Sequence, residues 1–361
     1  MYKNIKTMPQ LTYKIISFIT VFVILMACNG TSTNNEDYKT YNIKEIDELS
    51  AKIVNNPGDA LLYAKRALLF GEHEFYQEAE LDAEKALTLD SNAVDLYRIL
   101  GNAYFDNNHS HAAVTTLEKA IDRFPEEKTL YFILAEMQMI LQQHQQSLIT
   151  IDKLMKLHPN HPEGLFIQGQ ILKEMGDTLK AMDRYQATVE QDADYIDAYI
   201  QLAILSGELG SALTMRYIDN ALRIDSMSPT ALLLKAQYHH FRSDYEQAQR
   251  EYENAILKHP QSANFNYNLA LMYMEIGDNA EKKGDKTLAI EQYKLAFHHF
   301  DNATKFDLQF ADAYYYKGMS AERMGNKEVA KADYENAMRL QVFLATVSPE
   351  VVEDCLARLK K

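Results

Sequence analysis

Few residues in this chain stand at spacings that could do chemistry. His73-Glu74 begins the way a zinc-protease helix begins, but Gln77 stands where the second histidine ligand would be needed. Gly284-Asp285-Lys286-Thr287 lacks the earlier glycine that lets backbone N–H groups wrap a phosphate, and it falls on a turn between two helical segments. No Gly-x-Ser-x-Gly nucleophile elbow occurs. Four histidine pairs come nearest to a metal site: His109/His111, His158/His161, His239/His240 and His298/His299. The first two lie in or beside turns, and adjacent histidines on a helix point about 100° apart, so solvated or packing roles are expected. Cys28 and Cys355 are too few for a disulfide framework or a closed zinc site. Carboxylates are plentiful but scattered over helix surfaces. These residues predict a chain that is not an enzyme and holds no cofactor or metal.

Composition limits the rest. With 361 residues and 47% hydrophobic content, the chain can bury a large core or several domains. Its 13 glycines and 8 prolines are about half the usual share, which disfavours β-sandwiches and disordered linkers and favours helices. Lys and Arg number 37 against 51 Asp and Glu, a net charge of −14, and no stretch concentrates the basic residues. A surface that neutralises nucleic-acid phosphates is therefore not expected.

The N-terminus reads as an address. Lys3, Lys6 and Lys14 precede an apolar run from Ile15 to Ala27, and no acidic residue interrupts it. Thirteen helical residues span about 20 Å, short of the roughly 30 Å of hydrocarbon that a spanning helix must cross. A basic start followed by a short apolar run fits a secretory signal over residues 1–27. Leu25-Met26-Ala27-Cys28 resembles the lipobox of bacterial lipoproteins, which implies cleavage before Cys28 and its lipidation. Met26 is larger than the family's usual residue there. Residues 28–41 then form the acylated cysteine and a polar tether without apolar periodicity. Asn29 stands where enterobacterial sorting reads an aspartate as inner-membrane retention, so the resemblance implies the outer membrane and a periplasm-facing body. Loss of three lysines takes the mature charge to −17, so Cys28 is the expected membrane contact.

From residue 42 to 341 the chain is one repeated unit. Units of about 34 residues begin near 60, 94, 128, 162, 196, 229, 263 and 311. Their eighth position is always small: Ala67, Gly101, Ala135, Gly169, Ala203, Ala236, Ala270 and Gly318. The twentieth is small as well, as in Ala79, Ala113, Ser147 and Ala181. Small residues at these two places let a pair of amphipathic helices approach closely. Larger ones at position 4 (Tyr63, Tyr97, Tyr131) and position 24 (Tyr185, Tyr252, Tyr334) fill the space beside them. No pair can bury its apolar face alone, so the pairs must stack. Residues 43–55 read as a lone second helix before the first full unit. Residues 342–361 read as a capping helix, with Val351, Val352, Cys355, Leu356 and Leu359 on its buried face and Ser348-Pro349-Glu350 as its start. Cys355 is expected to be core.

Over residues 60–341 this pattern resembles the tetratricopeptide repeat family, which implies an all-α solenoid, a right-handed superhelix of about eight helix pairs with a concave groove. Tyrosine replaces the family's frequent tryptophan at position 4, since the chain has none. The seventh unit, with 48 residues, repeats its turn signal as Gly277-Asp278 and Gly284-Asp285. Its second-helix signature also recurs, as Tyr293…Ala296 and Phe300…Ala303, so seven residues are added to each helix. Such a long hairpin is either a structural variant or a docking element.

In the family, positions 2, 5, 9, 12 and 13 of the first helices line the groove. The resemblance therefore implies protein binding by Phe132, Phe166, Ile200, Leu233, Tyr267 and Tyr315 at position 5. Phe105, Met139, Ile140, Phe241 and Met274 extend the stripe, with Glu72, Asp106, Glu174, Glu208 and Glu275 beside it. Aromatic and methionine surface next to acidic groups suits a peptide segment. The alternative is that position 5 packs against the neighbouring repeat. The family's carboxylate clamp is not reproduced: Arg98 and Asn102 imitate its first part, but Ile133, Glu163 and Ile167 stand where Asn, Lys and Arg are needed. The expectation is a lipid-anchored scaffold that binds envelope proteins or peptides. Its layout is similar to that of lipoproteins of this family that assist outer-membrane protein assembly, pilus secretin assembly or peptidoglycan-hydrolase control. Alternatives are a secretion- or gliding-machine subunit docking through the long hairpin, or a carrier of a small ligand or glycan. A homodimer stays open as well.

Overall fold

The computed structural model describes residues 41–359. The expected leader (1–27), the lipidation site Cys28 and the tether up to residue 40 lie outside the described residues. Among the described residues the chain is all-helical, with 18 α-helices and no strand. It divides into two compact units, one ending at Asp177 and one starting at Thr178.

The first unit holds α1 (Lys44–Asn55), α2 (Ala60–Glu72), α3 (Tyr76–Leu89), α4 (Val94–Asp106), α5 (Ser110–Arg123), α6 (Lys128–Ile140), α7 (His144–Leu157) and α8 (Pro162–Glu174). The second holds α9 (Thr178–Gln191), α10 (Ile196–Glu208), α11 (Thr214–Ile224), α12 (Pro229–Phe241), α13 (Tyr245–Lys258), α14 (Ala263–Lys282), α15 (Lys286–Phe306), α16 (Ala311–Arg323), α17 (Lys327–Arg339) and α18 (Pro349–Leu359). Within each unit, consecutive helices pack as antiparallel pairs that stack as in an α-solenoid.

The close approach inside a pair can be read at position 8. A Cβ placed on Gly101 would sit 2.9 Å from the Leu117 side chain, and one on Gly318 would sit 2.9 Å from the ring of Tyr334. The large partner lies sixteen residues on, at position 24, where Tyr252, Tyr293 and Tyr334 are all buried. Full burial of such a side chain stabilises by about 1.5–3 kcal/mol. Position 7 adds a cation facing a carboxylate at position 23 in three pairs. Arg66 grips Asp82 through two bonds of 2.6 and 2.8 Å, Lys235 lies 3.4 Å from Glu251, and Lys317 lies 3.3 Å from Asp333.

The turn that follows each first helix is the same device eight times. Position 15, counted through the insertion in the seventh pair, always has positive φ: Glu74, Asn108, Gln142, Gly176, Gly210, Ser243, Gly284 and Gly325. A left-handed residue lets the chain leave one helix and enter the next within three or four residues. Four of the eight are not glycine and carry a cost of about 1 kcal/mol each. Between pairs, the position-4 tyrosines tie down the preceding turn. The hydroxyls of Tyr63, Tyr97 and Tyr131 donate to the carbonyls of Pro57, Ser91 and Pro125.

Two expectations are corrected. Gly277 is not a turn residue: it lies inside α14, where a Cβ would meet the Tyr293 ring at 2.6 Å, and Gly284 alone makes the turn. Val351 is not on the buried face of the last helix. It is 44% exposed, whereas Val352 and Cys355 are buried. That helix starts at Pro349, and residues 344–348 run before it without helical structure.

Candidate functional site

The first helices of successive pairs touch one another in both units, α2 to α4, α4 to α6 and α6 to α8 in the first, α10 to α12 and α14 to α16 in the second. Their shared face therefore repeats at a fixed register.

In the first unit this face remains partly open. Phe105 on α4 and Phe132 on α6 are half-buried and pack against one core cluster that includes Leu117, Leu130 and Leu134. Phe132 also joins Met139 against Ala135, Ile151 and Ile171. Ile140 is 44% exposed, while Phe166 on α8 is buried. The Phe132 ring lies 5.8 Å from the ring of His161. Burial, and then the positive charge of Lys128, lowers the pKa of His161, although Glu163 opposes this. A neutral imidazole therefore extends the apolar surface. Glu72 and Glu174 are exposed at the ends of α2 and α8.

In the second unit the equivalent side chains are mostly used up in packing. Ile200, Tyr267, Met274 and Tyr315 are buried, and Leu233 is half-buried. Tyr267 is surrounded by Phe310, Phe300 and Tyr316, with ring centroids 4.6, 5.7 and 6.0 Å away. The Met274 sulfur accepts a bond from the Ser320 hydroxyl at 3.0 Å. Tyr315 lies 5.7 Å from Tyr334 and beside Cys355, and burial pushes its phenol up to about 12. Position 5 is thus covered by the next helix of the stack, as Tyr315 is by α18. Phe241 is the exception. It is exposed and stacks at 5.8 Å on His240, whose Nε2 lies 3.1 Å from Glu275. The Tyr245 hydroxyl donates to the same carboxylate at 2.8 Å. Burial holds His240 below the usual histidine range even though Glu275 pulls the other way.

The histidine pairs are scattered among separate partners. His109 bonds Glu80 at 2.7 Å, His239 lies 3.4 Å from Asp244, and His299 bonds Asn266 at 3.0 Å. Among the described residues, no three His, Cys, Asp or Glu side chains gather into a metal-binding group. Likewise, no helix among them is long and apolar enough to cross a membrane.

Family models of the tetratricopeptide repeat match residues 98–162, 233–296 and 311–341. Those three stretches carry the tetratricopeptide repeat pattern. A tetratricopeptide repeat protein from Parabacteroides merdae superposes with a TM-score of 0.53 at 17% identity, covering 74% of this chain and 99% of that one. Yeast Tom70 gives a TM-score of 0.56 at 18% identity, covering 90% of this chain and 65% of its own. At these identities the likeness concerns the fold. A comparison with curated proteins gives no match.

One site residue escaped the reading of repeat positions. Asp312, at position 2 of the last repeat, is 2% exposed and accepts hydrogen bonds from residues 33 and 34 positions further along the chain. No local pattern signals a partner that distant.

Proposed function

We propose that this chain is a protein-interaction scaffold that binds envelope proteins or peptide segments through the open face of its first unit. The observation that carries this reading is the run Phe105, Phe132, Met139 and Ile140: four apolar side chains on adjacent first helices, half-buried or exposed around shared core clusters. An amphipathic or extended segment could complete their burial, and the flexible methionine beside the aromatic rings can adapt its shape to such a segment. Lipidation at Cys28 would hold the scaffold at the membrane, facing the periplasm, because the basic start, short apolar run and lipobox-like Leu25–Cys28 fit that address.

The test is photocrosslinking in cells with the reactive group at Ile140, compared with Leu81 on the second helix α3, which is 59% exposed. Capture of an envelope protein from position 140 alone supports the reading, and equal capture from both positions overturns it. Cys28→Ser should separately release the chain from the membrane fraction; retention there would sink the anchoring.

A further inference from the structure

Position 2 of the repeats behaves alike seven times and differently once. Leu61, Asp95, Thr129, Glu163, Asp197, Thr230 and Asn264 are all exposed, whereas Asp312 is buried. What buries it is a strap from its own chain, the non-helical residues 344–348 between α17 and α18. The Ala345 N–H donates to Asp312 Oδ2 at 2.9 Å. The Thr346 N–H donates to Oδ1 and Oδ2 at 3.1 and 3.2 Å, and the Thr346 hydroxyl donates to Oδ1 at 3.0 Å. The Thr346 hydroxyl also lies beside the phenols of Tyr267 and Tyr316.

The strap is held at few points. Ala345 and Thr346 are themselves exposed, and only Leu344 and Val347 turn toward the core around Tyr315, Tyr334 and Val352. A carboxylate this enclosed cannot be left without donors at low cost, so whatever displaces the strap must bring two successive N–H groups and a hydroxyl of its own. A segment with few buried contacts is the part of a fold that opens at low free energy.

We propose that Asp312, flanked by Tyr267 and Tyr316, is a peptide-binding site which the chain's own residues 344–347 occupy as an internal ligand. The partner it fits is an extended segment with a serine or threonine between apolar residues, as in Leu344-Ala345-Thr346-Val347. The site is shut in the resting chain and opens by exchange of one such segment for another. This deepens the interaction reading but sits in the second unit, so it and the open face of the first unit can fail independently.

The test uses the purified full chain and a fluorescent peptide with the sequence of residues 343–348. Ala345→Pro with Thr346→Val removes one N–H and the hydroxyl and should free the strap, with circular dichroism confirming that helix content is kept. Apparent affinity scales with the fraction of molecules whose site is open, so the peptide should bind the freed-strap variant at least tenfold more tightly than wild type. Adding Asp312→Asn should then weaken binding by about tenfold. Hydrogen exchange at the amides of residues 344 and 346 should be markedly faster in the variant than in wild type. The proposal is overturned if the freed-strap variant exchanges fast but binds no peptide, if Asp312→Asn leaves binding unchanged, or if the double substitution leaves the strap protected.

Discussion

The sixth and seventh helix pairs use the same parts to reach different lengths. Helices α12 and α13 have 13 and 14 residues, while α14 and α15 have 20 and 21. In the sixth pair one layer of this kind, Ala236 with Ala248 and Tyr252, is buried between the helices. The seventh has two such layers, Gly277 against Tyr293 toward the tip and Ala270 with Phe300 toward the base. Seven residues turn a helix through nearly two full turns and return a side chain to within about 20° of its starting face, whereas six or eight would swing it by about 120° or 80°. A repeat can therefore grow by a heptad in each arm without re-packing its neighbours. Each arm gains about 10 Å.

The sharpest break of this comparison is to shorten one arm. Excising residues 270–276 alone should abolish cooperative unfolding of the second unit, whereas excising 270–276 together with 297–303 restores a 34-residue pair and should keep it. Urea denaturation followed by circular dichroism distinguishes these outcomes. Next in size, Gly277→Val forces side-chain atoms into the Tyr293 ring and should cost about 2–4 kcal/mol, read from the denaturation midpoint.

A pH effect follows from His299, which is part of the seventh pair. Burial, reinforced by His298 and opposed by Glu253, brings its pKa down to about 4 from the ordinary 6.5. The folded ring stays neutral while the unfolded one takes up a proton, so its contribution is intact above pH 6.5 and is lost as pH falls toward 4. Allowing for partial solvent screening, stability should drop by about 1–2 kcal/mol between pH 7.5 and 5. His299→Gln should flatten that part of the profile in denaturant titrations at the two pH values.

The two turns offer a reciprocal exchange. Ser243 holds φ of 59° where Gly284 holds 81°. Ser243→Gly should stabilise, and Gly284→Ser destabilise, each by about 1 kcal/mol or less, measured by thermal unfolding. The smallest effect is expected at the tip. Arg323 reaches from α16 to Glu281 at 2.8 Å and to Asp278 at 3.6 Å, but it is 40% exposed. Arg323→Ala should cost less than about 1 kcal/mol while speeding hydrogen exchange near residues 278–288.

The helix pairing was legible because it rests on local rules: small residues at positions 8 and 20 and a large one at 24 recur at one spacing. The doubled glycine was not, because Gly277 and Gly284 look alike in sequence and only the packing of Tyr293 separates a buried helical glycine from a turn. The left-handed position 15 was half hidden as well, since Glu74, Asn108 and Gln142 mask a rule that Gly176 and Gly325 display. Exposure at position 5 escaped for another reason. Whether Phe132 stays open or Tyr315 is covered depends on the neighbouring helix, and no single repeat encodes its neighbour. Asp312 depended on a strap without any periodicity.

The tyrosines at position 24 also make the molecule its own reporter. The chain has no tryptophan, so no brighter indole masks the phenol signal. Tyr185, Tyr252, Tyr293 and Tyr334 are fully buried, on four different second helices of the second unit. Fluorinated tyrosine labels all 23 tyrosines of the chain, and replacing each of these four with phenylalanine in turn would assign its line in a magnetic-resonance spectrum. The order in which those four lines shift during unfolding would show whether the stack unzips from an end or lets go all at once.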